Sequence, residues 1–200
     1  MKFETDYEVD FSNRDPAGGT DELFYKRWSP RSFKKVEIAK EVLESIFDAA
    51  RWSPSCYNEQ PWLLVTSSGD GDMETFLDLL VEGNRAWAKN ASLIGFIFSK
   101  KRFTHNDRPN AWASFDCGSA WMSIALQASL YGLYAHGMAG IKKDEVCKRL
   151  NVPGEDYDVI CGFALGVIDC PQRLDADMAK REVPSQRKPL SEVWIQGVKE

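Results

Sequence analysis

Between Glu37 and Arg51 the apolar residues Ile38, Val42, Leu43, Ile46, Phe47 and Ala50 recur at helical spacing, which predicts an amphipathic helix with one buried face. Trp62-Leu-Leu-Val-Thr and Ser92-Leu-Ile-Gly-Phe-Ile-Phe are continuous apolar runs with β-branched or aromatic members, and both predict strands. Between them Gly69-Asp-Gly-Asp reads as a turn, Met73, Phe76, Leu77 and Leu80 return to helical spacing, and Glu82-Gly-Asn-Arg85 interrupts that pattern. From Asp116, a residue able to cap or charge-stabilise a helix start, a long helix runs to Gly132. Its apolar and small residues (Ala120, Trp121, Ile124, Ala125, Ala128, Tyr131) cover almost the whole circumference, so it is expected at a domain centre or against a second subunit. Leu133 to Ile141 carries two close glycines and no helix period, Lys142 to Leu150 predicts a short amphipathic helix, and Tyr157 to Ile168 is the longest strand-like run.

The remaining stretches have no period. Residues 1–20 read as a loose N-terminal arm, and 21–200 as a single domain whose charged extension, 171–200, wraps the body or a partner. Residues 100–114 form a long polar loop with Phe103 and Trp112 embedded, a candidate lid. Ser53 to Trp62 (Ser-Pro-Ser-Cys-Tyr-Asn-Glu-Gln-Pro-Trp) joins the first helix to the first strand. Its prolines make it stiff and its side chains are rich in hydrogen-bonding groups, which suits either a binding loop or an ordinary polar connection.

Composition narrows the class. Two hundred residues with seven tryptophans and eleven phenylalanines can fill one sizeable core. A net charge of −5 argues against a general nucleic-acid binder. That charge is uneven: Lys26, Arg27, Arg31, Lys34 and Lys35 cluster early, and Lys180, Arg181, Arg187 and Lys188 cluster late. Either the two stretches meet to hold a small anion or they are solvated surface. The N-terminus lacks the apolar region of a signal peptide, no run is long enough to span a bilayer, and five cysteines without C-x-x-C pairs read as reduced thiols, so a cytoplasmic protein is expected. Neither a P-loop nor a Rossmann glycine fingerprint is present, nor a nucleophile-elbow serine, and the two histidines have no metal-ligand spacing.

Arg27-Trp-Ser-Pro-Arg-Ser-Phe33, the first helix, and then Ser53-Pro-Ser-Cys-Tyr-Asn-Glu-Gln-Pro-Trp62 resemble the opening of the nitroreductase-like flavoproteins. In order follow Gly83-Asn84 with Trp87, Asp116-Cys-Gly-Ser-Ala120, Gly132-Leu133, His136-Gly-Met-Ala-Gly140, Leu150-Asn-Val-Pro153, Ala164-Leu-Gly166 and Arg187-Lys-Pro-Leu190. The resemblance spans roughly residues 23 to 195 and lies in the ordered set rather than in any one motif. It implies an α+β fold with a central, mostly antiparallel sheet flanked by helices, and a homodimer whose C-terminal extension wraps the partner subunit. It also implies FMN at the dimer interface, NADH or NADPH as electron donor, and a small-molecule electron acceptor such as a nitroaromatic or quinone.

The same resemblance assigns residues. Arg27, Trp28 and Ser29 belong at the phosphate end with Arg187 and Ser185, arginine being suited to grip two phosphate oxygens. Arg31 falls near the pyrimidine edge of the flavin, where a cation about 4 Å from developing negative charge is worth about 4 kcal/mol at an effective dielectric constant of about 20. Asn84 falls at the amide edge of the ring, although a loop-cap role accounts for it equally well. Pro54, Ser55, Cys56 and Asn58 would reach the flavin from the 53–62 loop, Cys56 replacing a commoner serine. Met138, Ala139 and Gly140 would present backbone N–H groups to the ring, in a turn where Ala139 stands in place of a frequent acidic residue. No catalytic side chain and no metal is expected, since the cofactor carries the chemistry, and for His136 and Tyr57 a core or surface role is favoured over proton donation. Two other outcomes remain open: a specialised flavin reductase (a reductive dehalogenase or enal/aldehyde reductase), and a non-catalytic flavin-binding module.

Overall fold

The computed structural model describes residues 2–198. Five antiparallel strands make the sheet: β1 (Phe33–Lys34), β2 (Trp62–Thr66), β3 (Leu93–Lys100), β4 (Tyr134–Met138) and β5 (Tyr157–Ile168). The order β1-β5-β3-β2 is completed by β4, which also pairs with β5. The long β5 is thus the spine, with Gly95 opposite Phe163 on the β3 side and Gly137 opposite the same Phe163 on the β4 side.

Alternation along β3 divides the core, because successive strand residues face opposite sides. Ile94, Phe96 and Phe98 join Phe76, Leu77, Leu80, Trp87 and Met138 on one side of the sheet. Leu93 and Ile97 join Ile46, Ala120, Ile124 and Phe163 on the other. The first layer is covered by α3 (Asp70–Asp78), α4 (Glu82–Ala88) and α6 (Lys143–Arg149), and the second by α2 (Lys40–Arg51) and α5 (Ala113–Leu130).

Several elements differ from expectation. Helix α2 starts at Lys40 rather than Glu37, with Val42, Ile46 and Ala50 buried. The expected turn at 69–72 contributes its last three residues to α3, and Glu82-Gly-Asn-Arg85 is the first turn of α4 rather than a break. The glycine-rich 133–141 stretch forms β4: with β5 supplying the pairing, glycines that give no periodic signal still fit a strand. Helix α5 begins at Ala113, and Asp116 lies inside it, buried, instead of capping it.

Helix α5 is apolar all round, yet a single chain covers only one face. Cys117, Ala120, Ile124 and Ala128 are buried, whereas Phe115 is 75% exposed and Leu130 is 55% exposed. The tail likewise leaves Leu190, Val193, Trp194 and Ile195 exposed.

The N-terminal arm is docked rather than loose. Phe3 N–H donates to the Tyr131 carbonyl (2.8 Å) and Thr5 Oγ1 to the Ile168 carbonyl (2.8 Å). Gly132 permits this approach: its φ is +76°, and a Cβ there would lie 2.2 Å from the Phe3 carbonyl oxygen.

Candidate functional site

The early and late basic stretches do meet. Most of their charges are paired: Lys26 with Glu22, Lys35 with Asp70, Arg31 with Glu182, Lys180 with Asp177, and Lys188 with Glu192. Arg27 and Arg187 form no ion pair among the described residues. Both line a cavity of about 880 Å³, joined there by Arg14 from the arm. Its other walls are Phe24 and Tyr25, Pro189 and Leu190 from the tail, and Gly118, Trp121 and Met122 of α5.

Burial first, and then the neighbouring Arg187, weaken the hold of Arg27 on its proton, and the same causes act on Arg14. Asp15 also lines the cavity but forms no ion pair with these arginines among the described residues, so the gathered like charges repel one another unless an anion joins them. The serines assigned beside them are in place. Arg27 Nη1 donates to Ser29 Oγ at 3.3 Å, and Arg187 Nη1 donates to Ser185 Oγ at 3.1 Å. Trp28 is buried.

Arg31 is placed differently. Its guanidinium lies 3.6 Å from Glu182 Oε2, while the other oxygen of Glu182 accepts the backbone N–H groups of Arg31 and Ser32. Glu182 is 1% exposed, so the chain segment from 182 onward is fastened to the 27–32 segment at this point. His136 of β4 fastens the same segment from below, Nδ1–H donating to the Pro30 carbonyl at 2.8 Å. Burial, with a smaller push from Arg31, lowers its pKa to about 4. The ring is therefore neutral at pH 7, and its one donor is committed to Pro30.

At the other end of β4, Asn84 Nδ2 donates to the Gly140 carbonyl at 3.0 Å, and Val81 N–H donates to the same oxygen at 3.1 Å. Asn84 and Gly140 are thus in contact, with Ala139 exposed beside them. Met138 is 2% exposed and its side chain packs in the core, which leaves only its backbone for the contact expected of it. Its place at the end of β4, alternating with exposed Gly137 and Ala139, sends it inward.

The 53–62 loop is rigid by construction. Ser53 and Ser123 share a hydrogen bond at 2.8 Å, and Cys56 N–H donates to the buried Asp116 at 3.1 Å. Ser55 Oγ accepts the Gln60 N–H, while Tyr57, Asn58 and Gln60 hold left-handed φ values of 53°, 55° and 50°. Such a cluster of non-glycine residues persists only where surroundings enforce it. Part of the enforcement is the expected lid, whose loop runs from the end of β3 to α5. It is docked: Phe103 is buried, Tyr57, Phe103 and His105 stack on one another, and Glu59 accepts the Thr104 N–H (2.8 Å) and hydroxyl. None of residues 53–58 lines the arginine cavity, because Gly118, Trp121 and Met122 face it from a different side of α5 than Asp116 and Ser123.

Two matched stretches, residues 25–79 and 72–167, fit the nitroreductase family. The chain belongs to the nitroreductase family. A crystal structure described as an oxidoreductase containing FMN is 42% identical, with a TM-score of 0.89 over 96% of this chain and 98% of that one. A provisionally named nitroreductase in complex with FMN from Exiguobacterium sibiricum shares the fold at 18% identity, with a TM-score of 0.74 over 97% of this chain and 100% of that one. A curated protein of Streptomyces griseus, provisionally named NADH dehydrogenase/NAD(P)H nitroreductase, is 24% identical over 62% of this chain and 70% of its own length.

Within this nitroreductase-family chain, three groups of predicted residues can be distinguished. Arg27, Trp28, Ser29, Ser185 and Arg187 come together. Asn84, Ala139 and Gly140 form a second cluster, and Pro54, Ser55, Cys56 and Asn58 a third on the rigid loop. Arg14 and Glu182 escaped the sequence reading. Arg14 sits in an acidic arm with no period, and its only signal was a cation amid Asp10, Asp15 and Asp21. No helix among the described residues is long and apolar enough to cross a membrane.

Proposed function

We propose that this chain is an FMN-dependent NAD(P)H oxidoreductase, working as a homodimer in the cytoplasm, that reduces nitroaromatic, quinone or related small organic acceptors by ping-pong exchange. The observation that carries the reading is the arginine cavity: Arg14, Arg27 and Arg187 face one space without an acid partner, in a fold whose 42%-identical relative is described as containing FMN.

The residues fit the cofactor. Three guanidiniums offset a phosphate dianion, with the Ser29 and Ser185 hydroxyls already beside them. Asn84, Ala139 and Gly140 serve the edge of the ring, where Gly140 keeps the backbone accessible, while Arg31 is held by Glu182. Met138 contributes only its backbone there. Pro54, Ser55, Cys56 and Asn58 form the opposite wall. Since that loop stays out of its own chain's cavity, a second copy supplies it, and the uncovered α5 face at Phe115 and Leu130 is the surface that brings the copies together. The apolar side chains of Leu190, Val193, Trp194 and Ile195 then wrap the partner.

FMN held at its phosphate by Arg14, Arg27 and Arg187 would supply hydride uptake from the reduced nicotinamide and two-electron delivery to the acceptor. The chain's own groups bind and orient. His136 is neutral with its donor committed to Pro30, and burial pushes the Cys117 and Cys161 thiols up to about 12 and about 11, so neither supplies a thiolate at pH 7.

Purified protein should be yellow, bleach under nitrogen with NADH or NADPH, and regain colour on adding a nitroaromatic or quinone. Colourless protein that FMN cannot reconstitute overturns the reading. Yellow protein that neither nicotinamide bleaches makes it a flavin-binding module instead.

A further inference from the structure

The arm leaves Phe3 and Thr5 fixed on the body, as described above, and is tied twice more. Asn13 Nδ2 donates to the Pro184 carbonyl at 2.7 Å, three residues before Arg187. Arg14 Nη1 donates to the carbonyls of Tyr25 (2.8 Å) and Arg27 (3.3 Å). These two contacts draw the arm, the 25–29 segment and the 184–187 segment together around the cavity.

The rest of the Arg14 guanidinium is unsatisfied. Nε and Nη2 are buried with no hydrogen-bond partner among the described residues, the guanidinium carbon lying 5.7 Å from the Phe11 ring centroid. They share one edge of the guanidinium plane, the edge whose parallel N–H groups grip two oxygens of one anion. Asp15 lines the same cavity but forms no ion pair with Arg14, Arg27 or Arg187 among the described residues. A cation buried with an empty fork is costly to the chain alone, and the cost is recovered when an anion fills the fork.

We infer that residues 2–20 are a strap locked by the cofactor's phosphate: Arg14 is the third guanidinium of the clamp, so the protein selects phosphorylated over unphosphorylated flavin, and docking of the strap is coupled to binding. The inference rests on the flavin reading above. Coupling runs both ways, since an anion that binds only the docked arm must stabilise docking by the same free energy. Arg14 is a binding and positioning residue and takes no part in the electron transfer.

The test compares FMN with riboflavin, which lacks the phosphate, on wild type, Arg14→Gln, Arg14→Lys and Asn13→Ala. A charged hydrogen bond of this kind corresponds to roughly 10- to 100-fold in affinity. Arg14→Gln should lose about that factor for FMN while its riboflavin affinity and its melting temperature without ligand stay level or rise. Arg14→Lys should recover part of the loss, and Asn13→Ala should weaken FMN a few-fold. FMN should protect residues 2–20 from proteolysis in wild type and not in Arg14→Gln. Wild-type FMN affinity in Arg14→Gln overturns the strap, as does an equal loss for both flavins with a lowered melting temperature, which marks a merely structural arginine. Should Arg14→Gln not fold, Asn13→Ala with unchanged affinity and arm protection overturns it. Wild type that binds neither flavin overturns the flavin reading itself.

Discussion

Arg27 and Arg31 are four residues apart in one segment and end in opposite circumstances. Arg31 meets a buried carboxylate that also accepts two backbone N–H groups, so its charge has an opposite partner without any ligand. Arg27 meets Arg187 and Arg14 across a cavity and forms no ion pair among the described residues. Composition cannot tell these arginines apart; their partners can. The first belongs to the framework that joins the tail to the sheet, and the second belongs to a site whose electrostatics close only around an anion. The general lesson is that a binding site shows itself by what the chain withholds.

The comparison breaks most visibly at Glu182. Glu182→Ala strands the Arg31 and Ser32 backbone N–H groups in a buried place and leaves the half-exposed Arg31 charge without its partner. We expect it to lower the unfolding free energy by about 3–5 kcal/mol, measured by urea denaturation. A loss below about 1 kcal/mol would mean that Arg31 is free after all, and would return it to the pool of unpaired cations.

His136 gives the second largest effect. Its folded-state pKa of about 4 lies below the ordinary 6.5, so the unfolded chain takes up this proton first as pH falls. The neutral ring's contribution is complete above about pH 6.5, declines as pH drops, and is gone below about pH 4, for a total of about 3 kcal/mol. Stability measured from pH 7.5 to pH 4 should show that decline, and His136→Gln, which can still donate to Pro30, should flatten it. An unchanged slope in the variant would assign the decline to carboxylates.

Much of this was legible in the sequence, for reasons that differ by element. The strand from Trp62 to Thr66 and the one from Tyr157 to Ile168 were readable to the residue because their neighbours on both faces are apolar. Strand β4 was not, because Ala135, Gly137 and Gly140 carry no periodic signal and only pairing with β5 defines them as strand and exit. Arg27, Ser29 and Arg187 followed from an ordered family pattern. Arg14 could not, since its role depends on Asn13 reaching Pro184, a contact 171 positions away that no local pattern encodes. The same holds for Glu182, an ordinary glutamate in a charged tail until it is buried under Arg31.

A smaller effect is expected where Asn84 meets Gly140. A Cβ at Gly140 would lie 2.7 Å from Asn84 Nδ2 and 2.7 Å from Val81 Cγ2. Gly140→Ala must therefore push Asn84 off the Gly140 carbonyl, at a cost of about 1–3 kcal/mol in thermal or urea unfolding. Bound flavin should respond as well, with a shifted visible spectrum, if this corner holds the ring edge. A stability loss with an unaltered flavin spectrum would confine Asn84 to tying α4 to the Gly140 carbonyl, on the framework side of the comparison.

The least effect on stability should come from Arg27→Gln, and that small number is the sharpest test of all. Removing Arg27 takes away one of three mutually repelling charges and a single 3.3 Å contact with Ser29, so unfolding of the ligand-free protein should change by no more than about 0.5 kcal/mol, in either direction. FMN affinity should nonetheless fall by roughly 10- to 100-fold, as expected for a lost charge-assisted hydrogen bond. Added inorganic phosphate should raise the melting temperature of wild type more than that of the variant, because a ligand stabilises only what binds it. A residue that the fold does not need, and the ligand does, sits at the opposite pole from Glu182. If Arg27→Gln instead unfolds the chain as Glu182→Ala does, the two arginines are alike and the cavity is a structural cluster, not a site.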